Sequence, residues 1–212
     1  MGNVAALVLA AGKGTRMKSE LVKVMHHLGG CPMVAWPVKA ARGAGAGRIA
    51  LVVGHQAEKV REYFANAADI DFAVQEEQLG TGHAVACAGP PFKGFSGRVL
   101  ILCGDVPLIR AETLQAMISY HETRQAAVTV LTVHQQNPYG YGRVVKREGG
   151  RILRIVEEKD ATDEEKDITE VNTGIYCVEA DFLFDAVAGL SNDNAQGEYY
   201  PVSYTHLTLP TN

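Results

Sequence analysis

The chain has 212 residues, of which 47% are hydrophobic and 21% charged, a balance typical of a globular protein with one sizeable core. With 20 Lys and Arg residues against 24 Asp and Glu residues, the formal net charge is −4, which excludes the broad basic surface of a nucleic-acid-binding protein. No signal peptide opens the chain and no apolar run reaches the roughly 18 residues of a membrane span, so we expect a cytoplasmic protein without a membrane partner.

Short apolar runs alternate with helix-length segments from residue 4 to residue 133. This alternation predicts an α/β fold with a doubly wound, mostly parallel sheet of Rossmann-like type. The predicted strands cover residues 4–12, 48–54, 70–75, 98–109 and 126–133, and the predicted helices cover residues 32–45, 57–67, 81–89 and 111–124. Pro37 lies inside the first of these helices and should kink or delay it.

The pattern changes after residue 138. Two β-rich runs flank Glu148-Gly149-Gly150, which predicts an antiparallel hairpin and hence a small antiparallel β lobe. A further strand is predicted over residues 171–180, followed by an amphipathic helix over residues 180–190 that offers apolar side chains to a core.

The first strand runs into a glycine-rich, cationic loop. Gly12 and Gly14 alternate with Lys13 and Arg16, and Lys23 follows shortly after. Three cations near one turn would repel one another without an anion between them, so the loop predicts a phosphate site. A plain strand-to-helix turn is the alternative interpretation of the glycines alone.

Two common phosphate-binding motifs do not fit this loop. A dinucleotide fingerprint needs a glycine where Met17 stands, and a P-loop needs Ser or Thr after Lys13, where the chain has Gly14. Asp105, at the end of another apolar strand, is a natural Mg²⁺ ligand because Mg²⁺ prefers carboxylate oxygens. The alternative is that Asp105 only caps the turn before Pro107.

A set of motifs in fixed order carries a resemblance to a known family. The segments are LAAGKGTRM, SELVKVMHHLGGCPM, QEEQLGTGHA, GDVPL, GYGRVV, IVEEKDAT, VNTGIY and NDNAQGEYY. They resemble sugar nucleotidyltransferases, and in particular the N-terminal uridyltransferase (pyrophosphorylase) domain of the bacterial GlmU family. The resemblance covers residues 4–200 and implies a nucleotidyltransferase fold.

The resemblance also implies an activity. Such a domain transfers a uridylyl group from UTP to N-acetylglucosamine 1-phosphate, giving pyrophosphate and UDP-N-acetylglucosamine for peptidoglycan and lipopolysaccharide synthesis, and Mg²⁺ is its cofactor. Arg16 would stabilise the leaving pyrophosphate, Lys23 would bind the α-phosphate or the incoming sugar phosphate, and Asp105 would hold Mg²⁺. The implied substrate-binding residues are Leu9, Ala10, Ala11, Gly12, Gly14, Gln75, Gly80, Thr81, Gly104, Gly142, Glu157 and Asn172.

Within that set the resemblance separates two groups. The backbone from Ala10 to Gly12, Gln75 and the pair Gly80-Thr81 would bind uracil, because an amide such as that of Gln75 carries both a donor and an acceptor. Gly142, Glu157 and Asn172 would contact N-acetylglucosamine. Glu157 by itself could equally be one of several solvated charges.

The sequence departs from the family at several places. Val22 stands where a proline usually precedes the lysine, Cys31 replaces a usual lysine or similar residue, and residues 201–212 form an atypical tail. The domain, residues 1–200, is expected to be incomplete at its C-terminus, because the chain ends before an asparagine that supplies a second Mg²⁺ ligand in the family. We therefore expect substrate binding with slow turnover. The hexapeptide repeats through which full-length relatives form trimers are also missing.

Two functional alternatives remain. One is a related nucleotidyltransferase that uses another nucleotide or sugar phosphate, and the other is a nucleotide-sugar binding module without catalysis. The four cysteines predict reduced thiols, not a zinc site or disulfides. His26, His27 and His83 are interpreted as structural, and no cysteine–histidine pair is apparent from the sequence.

Overall fold

Strands and helices alternate along the computed structural model, which describes residues 3–12, 14 and 17–188. The strands are β1 (Val4–Ala10), β2 (His27–Leu28), β3 (Cys31–Pro32), β4 (Arg48–Val53), β5 (Ile70–Val74), β6 (Arg98–Cys103), β7 (Val128–His134), β8 (Arg143–Lys146), β9 (Ile152–Val156) and β10 (Glu170–Glu179). The helices are α1 (Ala35–Gly43), α2 (Ala57–Tyr63), α3 (Thr81–Cys87), α4 (Ala111–Arg124), α5 (Asp163–Lys166) and α6 (Ala180–Ala188).

The main sheet has the strand order β5-β4-β1-β6-β10-β8-β9, and β7 pairs with β10 as well. Strands β5, β4, β1 and β6 are parallel, whereas β10 pairs antiparallel with β6, β7 and β8, and β8 pairs antiparallel with β9. The predicted mostly parallel α/β fold is confirmed, and the predicted hairpin is the pair β8 and β9. A separate small sheet consists of β2 and β3.

Helices cover both faces of the main sheet, which explains why its strands are apolar on both sides. In β1, Ala6 and Val8 belong to a core that includes residues of α1, α2 and α4. Their neighbours Ala5 and Leu7 belong to a second core with residues of α3 and α6. The alternation follows from the two-residue period of a strand. None of the helices in the described residues is long and apolar enough to cross a membrane.

Pro37 delays the first helix, as predicted. The helix α1 begins at Ala35, so Pro37 is its third residue. The first turn of a helix has no intrahelical acceptor for its N–H groups, and a proline there removes no hydrogen bond. The last predicted helix is also present as α6, although Leu190, Tyr200 and the rest of residues 189–212 lie outside the described residues.

The parallel strands bring several distant loops together. The segments that follow β1, β4, β5 and β6 all leave the sheet at its carboxyl edge, where ligands of such sheets bind. Strand β10 begins at the same edge, because Tyr176 lies opposite Ile101 in an antiparallel register and Asn172 therefore extends beyond β6. A register shift between Asn172 and Ile175 bends β10 at this point.

Candidate active site

Lys23 and Asp105 form an ion pair at the carboxyl edge. Lys23 opens a short 3₁₀ turn, Lys23–Met25, and Asp105 follows the end of β6 by two residues. Lys23 Nζ lies 2.6 Å from Asp105 Oδ2, with side chains 38% and 37% exposed. An exposed pair contributes at most about 1 kcal/mol to stability, so the ammonium group is accessible to an anionic ligand and the carboxylate to a cation.

Gly14 packs directly against Lys23. Its φ is +63°, and a Cβ atom at this position would lie 2.5 Å from Lys23 Cβ. A side chain at position 14 would therefore be strained and would displace the lysine. At Gly12, in contrast, an added Cβ would have no neighbour within 4 Å.

The loop carries two further cations. Lys13 and Arg16 lie outside the described residues, as does Thr15. The role of Arg16 and the clustering of three cations therefore stay predictions.

Gly104 joins the ends of β1 and β6. Its N–H donates to Leu9 O at 2.8 Å, and an added Cβ would lie 2.9 Å from the same oxygen. Ala10 and Ala11, which follow Leu9, are buried. The close approach fixes the start of the Asp105 loop against the start of the glycine loop.

Gln75 is brought to the residues predicted to surround uracil. It follows β5 and is 4% exposed. Its Nε2 donates to Gly80 O at 3.0 Å and lies 3.1 Å from His83 Nδ1, which holds the segment where α3 begins at Thr81. Both amide hydrogens are thus directed at protein acceptors, and the contact of Gln75 with uracil stays a prediction.

Gln78 is a residue of this region that the sequence analysis missed. Its Nε2 donates to Ala11 O at 2.6 Å. The bond ties the loop after β5 to the loop after β1, 67 residues away. The only sequence signal was its place in the motif QEEQLGTGHA.

His83 has a cysteine neighbour in α3. Its Nε2 lies 3.8 Å from Cys87 Sγ, because residues four apart share one face of a helix. Gln75 donates to Nδ1, so the neutral ring carries its proton on Nε2 and cannot accept the thiol proton there. Burial raises the pKa of Cys87. The pair is not arranged as a nucleophile and base.

The three residues predicted to contact the sugar are adjacent. Asn172 N donates to Gly142 O at 2.8 Å, and a Cβ atom on Gly142 would lie 2.8 Å from Glu157 Oε1. The side chain of Asn172 is oriented at both ends: Oδ1 accepts from Gly174 N at 3.0 Å, and Nδ2 donates to Tyr176 Oη at 2.7 Å. Burial raises the pKa of Tyr176, so its hydroxyl stays protonated.

Arg143 and Glu158 support the loop that ends at Gly142, and the sequence analysis missed both. Arg143 is 1% exposed, its Nη2 lies 2.7 Å from Glu158 Oε2, and its Nη1 donates to Tyr141 O. The same Glu158 oxygen accepts from Gly140 N at 3.0 Å. The Gly140 N–H and the Arg143 guanidinium lower the pKa of Glu158, which keeps it ionised. The signal was an arginine inside the motif GYGRVV.

The donor set at the carboxyl edge is compatible with one Mg²⁺. Within the described residues no group of three or more His, Cys, Asp and Glu side chains could hold a metal. Asp105 supplies a carboxylate at this edge, and Mg²⁺ is commonly bound by one or two carboxylates together with substrate phosphates and water. These residues fit a cation that is shared with phosphates, not one held by the protein alone.

Comparison with known proteins places this geometry in a family. The nucleotidyl transferase family matches residues 5–200. The bifunctional protein GlmU of Geobacter sulfurreducens is 70% identical over 200 residues, which are 94% of this chain and 42% of that protein. The GlmU protein of Pelotomaculum thermopropionicum is 52% identical over 198 residues, 93% of this chain and 43% of the relative. The chain thus spans less than half the length of the curated relatives it matches.

Solved structures support the same fold. A UDP-glucose pyrophosphorylase complexed with UDP-glucose has a TM-score of 0.77 at 20% identity, covering 96% of this chain and 85% of the other. The apo form of a UDP-glucose pyrophosphorylase gives 0.77 at 18% identity, covering 95% and 85%. The resemblance to GlmU noted in the motifs is confirmed, and the chain belongs to the nucleotidyl transferase family.

Proposed function

We propose that this chain transfers a uridylyl group from UTP to N-acetylglucosamine 1-phosphate, which gives UDP-N-acetylglucosamine and pyrophosphate for cell-wall precursor synthesis. The observation that carries the proposal is the exposed Lys23–Asp105 pair beside Gly14 at the carboxyl edge of the sheet. Membership of the nucleotidyl transferase family supports the reaction class, and 70% identity to a GlmU protein supports the substrates.

In this reaction an oxygen of the sugar phosphate attacks the α-phosphorus of UTP, and pyrophosphate leaves on the opposite side. The protein mainly positions the two phosphates and stabilises the charge that develops on them. Lys23 donates from Nζ to the α-phosphate or the incoming phosphate, and Gly12 and Gly14 allow backbone N–H groups close to the nucleotide. Arg16 binds the leaving pyrophosphate; the support for that role is its place in the motif.

Asp105 would hold Mg²⁺, which supplies neutralisation of phosphate charge when it is bound. Lys23 lies on one oxygen of that carboxylate. The chain's own contribution is to keep a carboxylate and an ammonium group side by side, so that anionic phosphates meet a site of both charges rather than a purely acidic one.

The sugar and the base are bound on either side of these phosphate groups. Gly142, Glu157 and Asn172 form one end of the site, and their carboxylate, amide and backbone groups suit sugar hydroxyls. At the other end the segment held by Gln75 and the start of α3 provides backbone groups for uracil. Because UTP is an intracellular nucleotide, the proposed reaction belongs in the cytoplasm. Trimer formation is implied only for full-length relatives, through the hexapeptide repeats, and is not proposed for residues 1–200.

Pyrophosphate release tests the proposal directly. The chain is incubated with Mg²⁺, N-acetylglucosamine 1-phosphate and each of UTP, CTP and dTTP, and then with UTP and other sugar phosphates. The proposal requires fastest release with UTP and N-acetylglucosamine 1-phosphate. A faster reaction with another pair would indicate a related nucleotidyltransferase, whereas calorimetric binding of UDP-N-acetylglucosamine without release would indicate a binding module.

A further inference from the structure

We infer that Gln56 is a positioning residue for Lys23: it fixes the backbone immediately before the lysine and so places the Nζ group for phosphate binding. The inference rests on the proposed function for its catalytic consequence. Its structural part is that Gln56 holds the segment before Lys23 in place, and this part can be tested without any nucleotide.

Gln56 joins the loop after β4 to the segment before Lys23. Its Oε1 accepts from Val22 N at 3.2 Å, and its Nε2 donates to Glu20 O at 2.5 Å. The bonds span 34 and 36 residues of sequence. The amide of Gln56 thus accepts one hydrogen bond from this short segment and donates another to it, because an amide side chain carries both an acceptor and a donor.

The backbone of Gln56 is in an uncommon conformation. Its φ and ψ are 58° and 35°, in the left-handed region. A residue with a side chain occupies this region only where its surroundings fix it, and such residues are enriched at functional sites.

Val22 transmits this constraint to Lys23. Val22 is 2% exposed, its N–H is bound by Gln56, and its carbonyl accepts from Met25 N at 3.0 Å. The side chain, N–H and carbonyl of Val22 are all held in place, so the backbone position of Lys23 is defined. Gly14 then packs on Lys23 Cβ. Ordering the lysine in the absence of ligand reduces the rotamer entropy that is lost when phosphate binds.

The conformation of Val22 offers a specific rescue. Its φ is −57°, within the range that a proline ring imposes. A proline at position 22 would fix this φ without needing an acceptor for an N–H, but its ring would occupy the space next to Gln56 Oε1. Gln56→Ala opens that space. The two changes should therefore compensate each other, which a general loss of packing would not produce.

The first experiment measures the position of Lys23 without substrate. The rate at which an amine-reactive acylating reagent modifies Lys23 is compared by mass spectrometry with that of Lys93, an exposed lysine outside the site. We expect Gln56→Ala to raise the Lys23 to Lys93 ratio several-fold, and Gln56→Ala with Val22→Pro to return it towards the wild-type ratio. Gln115→Ala, which removes a bond from Nε2 to Gly43 O at 2.8 Å elsewhere, is the matched control and should leave the ratio unchanged.

The second experiment measures pyrophosphate release. Gln56→Ala should lower kcat by about tenfold to a hundredfold, as expected for a displaced catalytic group, with a smaller change in KM for UTP. The double variant should recover most of this loss. In a Lys23→Ala background, Gln56→Ala should cause no further loss, because the residue it positions is already absent.

The outcomes separate the two proposals. An unchanged labelling ratio in Gln56→Ala, or kcat losses that add in the Lys23→Ala background, would overturn the role of Gln56. Absence of pyrophosphate release from the wild-type chain would overturn the proposed function instead, while the labelling ratio still tests Gln56. If circular dichroism shows that Gln56→Ala does not fold, Gln56→Glu is used, since it keeps the acceptor for Val22 N–H and loses the donor to Glu20 O. An intermediate ratio is then expected, and a wild-type ratio contradicts the inference.

Discussion

Lys23 Nζ lies 2.6 Å from Asp105 Oδ2, although the two residues are 82 positions apart in the sequence. The pair joins the segment after the glycine loop to the loop after β6, next to the carboxyl ends of adjacent parallel strands. Neither residue is buried, and each keeps about a third of its side chain exposed (38% and 37%). The pair therefore contributes little to the stability of the fold, in keeping with its proposed role at a phosphate site.

Asp105→Asn is expected to lower pyrophosphate release at least about a hundredfold, because the charge that holds Mg²⁺ near the phosphates is removed. The Mg²⁺ concentration for half-maximal rate should rise. Because the pair is exposed, the free energy of unfolding should change by less than about 1 kcal/mol, measured by urea denaturation. Asp71→Asn is the matched control, since it removes another exposed ion pair, Arg48 Nε to Asp71 Oδ2 at 2.9 Å. Equal activities of the two variants would contradict the role of Asp105.

Arg16→Ala is expected to lower kcat by about two orders of magnitude, which corresponds to the loss of a donor that stabilises transition-state charge. The affinity for UDP-N-acetylglucosamine, measured by calorimetry, should change less, because that product lacks the β- and γ-phosphates of UTP, which leave as pyrophosphate. Turnover close to wild type would show that the loop cation does not bind the leaving group.

Gln75→Ala should weaken the preference for UTP over CTP. The side chain orients the segment that starts at Gly80 through a bond of 3.0 Å, so its removal releases backbone groups predicted to contact uracil. The ratio of kcat/KM for the two nucleotides gives the measurement. His83→Gln removes the other partner of the Gln75 amide and serves as the comparison. If the preference for UTP drops equally in both variants, the effect belongs to α3 and not to Gly80.

Gly142→Ala tests the proposed sugar end of the site. The new methyl group would approach Glu157 Oε1 to 2.8 Å and Ile155 Cγ2 to 3.1 Å, so Glu157 must move. We expect KM for N-acetylglucosamine 1-phosphate to rise about tenfold or more, since displacement of one polar contact is worth more than about 1 kcal/mol, with little change in KM for UTP. Gly47→Ala, where an added Cβ meets nothing within 4 Å, should be neutral. A rise confined to KM for UTP would place the sugar elsewhere.

His121 should make stability depend on pH. Its ring is fully buried, with Nδ1 2.8 Å from Thr129 Oγ1 and Nε2 3.2 Å from Glu179 Oε1. Burial lowers the pKa of His121 from 6.5, although Glu179 acts in the opposite direction and Arg98 and Glu122 also face the ring. Between the folded and unfolded pKa values the unfolded chain binds more protons, so stability is present above about 6.5 and is lost as pH falls through the folded pKa.

The test compares urea denaturation at pH 7.5 and pH 5.5. The wild-type chain should lose free energy of unfolding at the lower pH, whereas His121→Gln, which cannot titrate, should lose less. The lowered pKa values of Asp69, Glu158 and Glu165 place the titration of these carboxylates below this window. The same loss in both proteins would assign the pH dependence to other groups.

Much of the fold follows from local sequence patterns. Apolar runs such as that of β1, the Gly149-Gly150 turn between β8 and β9, and the position of Pro37 in α1 depend on residues close in the chain, where periodicity and turn preferences act. The motifs also predict roles for Lys23, Asp105, Gln75 and the three residues proposed to contact the sugar, through a resemblance that needs only their order.

The partners of these residues depend on contacts between distant segments. The antiparallel pairing of β10 with β8 brings Asn172 to Gly142, which lies beside Glu157, and no local pattern encodes such a register. In the same way, only the fold shows that the Gln75 amide nitrogen contacts Gly80 and His83, whereas its contact with uracil stays a prediction.

The sequence by itself determined the elements, the family and the residues that carry charge at the site, because these depend on composition, short periods and motif order. Only the tertiary structure decided that Gln56 binds the segment before Lys23, that Arg143 is buried next to the loop that ends at Gly142, and that Asp105 forms an ion pair with Lys23. The physical reason is that a hydrogen bond or ion pair forms between atoms a few ångströms apart in space. That proximity is set by the packing of the whole sheet and its helices, not by neighbours along the chain.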